Sequence, residues 1–135
     1  MTATNTTAAG TIELTNIGGV TGATAIGNTN TATLTLDGTA YSTAGTQTYT
    51  AKAGQNIDIT GTSATFTTTN DNIGFATAGV DLANDSTTTI NTGTDGGTVT
   101  FGGAIETNGG DDDLLVVTSG SGNVTFTGAI GATNE

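Results

Sequence analysis

The chain has no histidine, cysteine, tryptophan or proline, and Lys52 is its one basic side chain. Each absence excludes something. Without His or Cys there are no His-ligated or thiolate metal sites, no Ser-His or Cys-His nucleophile pairs and no disulfides. One cation against twelve acids leaves a net charge of -11. That excludes ordinary recognition of DNA, RNA or anionic lipid, all of which need a cationic surface. The longest unbroken apolar run is Leu114-Leu115-Val116-Val117, far short of the ~20 residues a membrane-spanning helix needs. Neither nucleic-acid binding nor membrane insertion is expected.

What remains is a chain of 135 residues, the size of one small domain. It has 36 threonines and 22 glycines, only 33% hydrophobic residues and 4% aromatic. Taken alone, that composition borders on disorder. The apolar residues, however, fall in short alternating runs: Ile12-x-Leu14, Leu34-x-Leu36, Ile57-x-Ile59, Val99-x-Phe101 and Val124-x-Phe126. Alternation between threonines marks half-buried strands, and β-branched Thr suits strands and resists helix. No apolar stripe at helical spacing extends over ten residues. Clusters such as Asp37-Gly38, Asp95-Gly96-Gly97 and Ser121-Gly122-Asn123 punctuate the runs as tight turns. The fold class is all-β.

Internal repeats sharpen this reading. Residues 97–106 and 122–131 are identical at seven of ten positions, at an offset of 25. A period of 25 that holds three short strands is one rung of a parallel β-solenoid, or β-helix. The chain would then form a single solenoid domain over residues 1–135, of about five rungs. Val99, Phe101 and Ile105 would form its repeated core with Val124, Phe126 and Ile130. A second likeness joins residues 18–30 to 122–134, with eight of thirteen identical at an offset of 104. These segments read as equivalent parts of a 104-residue repeat. The rival fold is an Ig-like β-sandwich, a common architecture at about this length. The 25-residue period and the missing tryptophan argue against it.

The run Gly122-Asn123-Val124-Thr125-Phe126-Thr127-Gly128-Ala129-Ile130-Gly131 resembles repeats of very large bacterial surface proteins, the filamentous-haemagglutinin-like and autotransporter-like adhesins. The stretch Thr33 through Tyr41 and Thr48 through Ala51 is similar in character. The resemblance implies a right-handed parallel β-helix, exported to the bacterial cell surface, with a structural or adhesive role. It carries no catalytic motif. Met1 through Thr7 has neither a basic start nor an apolar stretch, so any secretory signal is expected outside these residues.

Four candidate sites follow from residue types. Asp111, Asp112 and Asp113, after Gly109-Gly110, could supply oxygen ligands to Ca²⁺, or could simply form an acidic turn before Leu114. Thr-x-Thr strings begin at residues 31, 46, 65, 98 and 125. On one flat face they would order water as an ice-binding surface does; otherwise they are outward β-formers. Asp58, Asp71, Asp81, Asp85 and Asp95 stand singly, which favours solubilising charge over a glycosidase acid pair. Tyr41 and Tyr49 could stack against a sugar, or could pack under a loop. Lys52 reads as a solvated turn residue.

No cap is evident at either end, and an uncapped solenoid exposes unpaired strand edges. Head-to-tail stacking, with neighbouring repeats or with further copies of the chain, is therefore expected. The leading functional reading is a structural or adhesive module of an extracellular surface or matrix protein. A Ca²⁺-dependent or carbohydrate-binding adhesion domain, with surface glycans as partners, is the alternative. An enzyme is the least favoured reading.

Overall fold

A computed structural model describes residues 1–107 and 113–131. Among them every strand pairing is parallel and there is no helix. The chain winds as a β-solenoid with three short strands per turn. The first turn holds β1 (Thr2–Ala3), β2 (Gly10–Leu14) and β3 (Ile17–Val20). The second holds β4 (Thr24–Gly27), β5 (Thr31–Leu36) and β6 (Ala40–Thr43). The third holds β7 (Gln47–Thr50), β8 (Asn56–Ile59) and β9 (Ser63–Thr67). The fourth holds β10 (Ile73–Ala76), β11 (Gly79–Leu82) and β12 (Thr87–Asn91). The fifth holds β13 (Val99–Phe101), β14 (Ile105–Thr107) and β15 (Leu114–Thr118), and β16 (Val124–Phe126) opens a sixth.

Each strand pairs with the strand three later. Three sheets result: one contains β1 through β16 by threes, the second β2 through β14 and the third β3 through β15. The sandwich alternative is thereby excluded, because it requires antiparallel pairing. The 25-residue likeness is rung register, with Val99 opposite Val124, Phe101 opposite Phe126, and Ile105 bridged to Ile130. The offset of 104 falls elsewhere. Val20 lies in the third sheet and Val124 in the first, whose four rungs from Ile26 to Phe126 take 100 residues. Residues 132–134 of that likeness lie outside the described residues.

Alternation decides which side of each strand is buried. In β8 Ile57 and Ile59 are buried and Asp58 between them is not; β11 repeats this with Val80, Asp81 and Leu82. Stacking the rungs puts the apolar positions in files down a narrow interior. Full burial of one such Ile, Leu or Phe contributes about 1.5–3 kcal/mol.

All six aromatic residues of the chain join one contiguous cluster. Tyr49, Phe75, Phe101 and Phe126 lie face to face on successive rungs of the first sheet, with centroids 5.1 to 5.3 Å apart. Tyr41 stacks on Phe66 at 4.6 Å in the third sheet, and edge contacts at 5.4 to 6.3 Å join the two files. Offset stacking and edge contacts are the preferred aromatic geometries. A 4% aromatic content is enough because none of it is scattered.

Corners are held by side-chain amides that reach across rungs. Asn16 Oδ1 accepts hydrogen bonds from the backbone N–H groups of Thr39 and Ala40, at 3.1 and 2.8 Å. Asn72 Oδ1 accepts from Thr98 N–H at 2.7 Å, and Asn70 Oδ1 from Asp95 N–H at 3.0 Å. Turn backbone groups that no strand partner reaches are satisfied this way.

Candidate functional site

The structure separates the candidate residues by face. Tyr41 and Tyr49 are fully buried, so they offer no platform for a sugar. They do not pack under a loop either, but inside the solenoid. Tyr41 Oη donates to Leu14 O at 3.0 Å and accepts from Gly38 N–H at 2.8 Å. Tyr49 Oη donates to Oε1 of the buried Gln47 at 2.9 Å. Gln47 Nε2 donates in turn to Tyr41 O and Thr67 O, at 2.9 and 2.7 Å. The network lies where the third sheet turns into the first. Burial pushes the Tyr41 phenol up to about 12 and raises that of Tyr49 further.

The Thr-x-Thr strings fall on three different faces. Those at 31, 46 and 65 lie on β5, β7 and β9, one in each sheet. On the first sheet the outward positions run Ala25, Thr48, Gly74, Thr100 and Thr125, an interrupted rank. On the third sheet Ser63 and Thr65 register with Thr87 and Thr89.

Asp111 and Asp112 lie outside the described residues. Asp113 Oδ1 accepts from Ser86 N–H at 3.2 Å, and its Oδ2 is buried without a partner among the described residues. Among the described residues no group of three or more acidic side chains is placed to hold a metal ion. Lys52 is exposed.

Two of the single aspartates do come together. Asp58 registers with Asp81, and Asp81 with Glu106, on the outward side of the second sheet. Neighbouring strands in a sheet are ~4.8 Å apart, so three carboxyl groups stand in file on successive rungs. Burial raises both aspartate carboxyls above their ordinary value. For Asp81 the neighbouring Asp58, Glu106 and Asp113 raise it further, while a hydrogen bond from Asn56 opposes the rise. This file is invisible to local motif reading. Stepping from Asp58 by one rung, 23 and then 25 residues, would have found it.

The last rung differs from those beneath it. Val99, Phe101 and Ile105 are at most 3% exposed, whereas Val124, Phe126 and Ile130 are 38%, 41% and 61% exposed. Chemically equivalent positions thus change from covered to open at the end of the files. Leu114 and Val116, on the outward side of β15, add two more exposed apolar side chains beside this end. Compared with protein-family models, with curated proteins and with solved structures, the chain matches none.

Proposed function

We propose that the chain is a structural module of a bacterial surface or matrix protein, and that it works by end-to-end stacking into a rod. The observation that carries this reading is the apolar end formed by Val124, Phe126 and Ile130. These residues continue the interior files, and among the described residues no strand pairs with the outer edge of β16, which leaves a row of backbone donors and acceptors there. A further rung would pair that edge and cover those side chains in one step. The residues that supply it belong either to the same polypeptide or to a second chain. The function is mechanical, since parallel pairing from rung to rung makes a stiff body. With one Lys and no Arg, the chain also offers trypsin almost nothing to cut. The adhesin-like repeat character of residues 122–131 supports an exported, extracellular setting.

Analytical ultracentrifugation and electron microscopy of the purified chain test this. Concentration-dependent rods that Phe126→Lys abolishes are the expected result. A chain that stays monomeric at every concentration overturns stacking between separate chains and favours a covering rung from the same polypeptide.

A further inference from the structure

The outward face of the second sheet carries Glu13, Thr35, Asp58, Asp81 and Glu106 on five successive rungs. Three consecutive members are acids in direct register, and like charges directly opposite each other destabilise a strand pair. Most folds separate such groups or interleave them with cations. Here Asp81 on β11 faces Asp58 on β8 and Glu106 on β14, and Asp113, just before β15, acts on it as well. Lys52 is not among the groups acting on Asp58 or Asp81. No nearby cation relieves the repulsion, and only the Asn56 amide offsets it in part.

We propose that the file Asp58–Asp81–Glu106 is a proton-responsive seam: with both aspartates ionised it pushes neighbouring rungs apart, and with an aspartate protonated it joins them. Two carboxyl groups at rung spacing cannot both ionise without cost, and one proton shared between them relieves the repulsion. The protonated carboxyl donates its O–H to the neighbouring carboxylate, a charge-assisted bond of ~2.5–2.7 Å. Each rung pair then gains a bond where it had a repulsion. Asp81 is raised by burial first and then by its carboxylate neighbours, as this geometry requires, while Asp58 is raised by burial. The folded chain holds protons there more readily than the unfolded chain. The stabilisation is therefore complete below the ordinary carboxylate range and is lost as pH rises through the raised folded values. The solenoid is tighter in mild acid than at neutrality, the reverse of a fold built on ion pairs.

Thermal melting of the full chain, followed by circular dichroism between pH 7.5 and 4.5, tests the seam. Tm is expected to rise by several degrees on acidification and to rise with added salt at pH 7.5, where salt screens the ionised file. Asp81→Asn should raise Tm at pH 7.5 and flatten the pH dependence, and Asp58→Asn should do the same if the first variant folds poorly. Asp85→Asn removes the same charge from an exposed turn and should leave the pH slope unchanged. A Tm that is flat or falling on acidification overturns the proposal. So does an Asp85→Asn effect as large as that of Asp81→Asn.

Discussion

Phe101 and Phe126 stack with ring centroids 5.1 Å apart and planes within 5° of parallel, yet one is 1% exposed and the other 41%. The two rings are chemically equivalent and lie one rung apart, so their difference isolates the contribution of a covering rung. Phe101→Ala should cost about 3–5 kcal/mol, the range for a buried aromatic truncated to leave a cavity. Phe126→Ala should cost clearly less, because its open side is already in water. Urea unfolding of the two variants checks the order. Equal losses would mean that Phe126 is covered in solution, as it would be in a stacked rod.

Gln47 is the polar hinge of the interior. It satisfies the hydroxyl of Tyr49 and the carbonyls of Tyr41 and Thr67. Gln47→Leu keeps the volume but takes away the acceptor of that hydroxyl and one donor from each carbonyl. A buried polar group stripped of its partner costs about 1–3 kcal/mol. A loss in that range by denaturant unfolding is expected, and a neutral or stabilising result would show that water reaches these groups. The equivalent positions in neighbouring rungs are Thr24 and Ile73, so the network forms at one place in the stack and is not a property of the repeat.

That irregularity bears on what could be read from the chain alone. The offset of 25 between residues 97–106 and 122–131 was legible because the last two rungs have nearly the same sequence and the same turn lengths. Elsewhere the rung step ranges from 21 residues, between Gly10 and Thr31, to 27, between Ile90 and Val117. The turns absorb the difference, so no single period lines up all the faces. The likeness between residues 18–30 and 122–134 misleads for this reason, since an offset of 104 overshoots four rungs and lands on another sheet. Asp58, Asp81 and Glu106 look isolated along the chain, yet rung register makes them neighbours. Tyr41 and Tyr49 gave no local sign of burial, because their surroundings are supplied by residues about one rung away.

Close approach between rungs makes one corner glycine indispensable and leaves another free. A Cβ on Gly38 would collide with the carbonyl oxygen of Thr15 on the rung below, and backbone cannot yield as a side-chain tip does. A Cβ on Gly18 would meet nothing within 4 Å. Gly38→Ala should therefore force the corner open, at a cost of about 1–3 kcal/mol or more. Gly18→Ala should be within about 0.5 kcal/mol of neutral, as surface substitutions usually are. Comparing the two melting temperatures checks this, and equal effects would place the corner differently from the structure.

Alkali should open the fold through its tyrosines. An exposed phenol titrates near pH 10, but burial moves Tyr41 to about 12 and Tyr49 higher still. Both folded values lie above the unfolded ones, so the folded chain holds these protons more tightly. The corresponding stability is fully present below pH 10 and is lost as pH rises through the folded values. Absorbance near 295 nm should therefore stay flat through pH 10 and then rise together with the loss of the β-sheet circular dichroism signal. A tyrosinate signal at pH 10 with the β-sheet signal intact would mean that at least one phenol is exposed. Because the chain has no other aromatic that ionises, that readout reports on the interior of the solenoid alone.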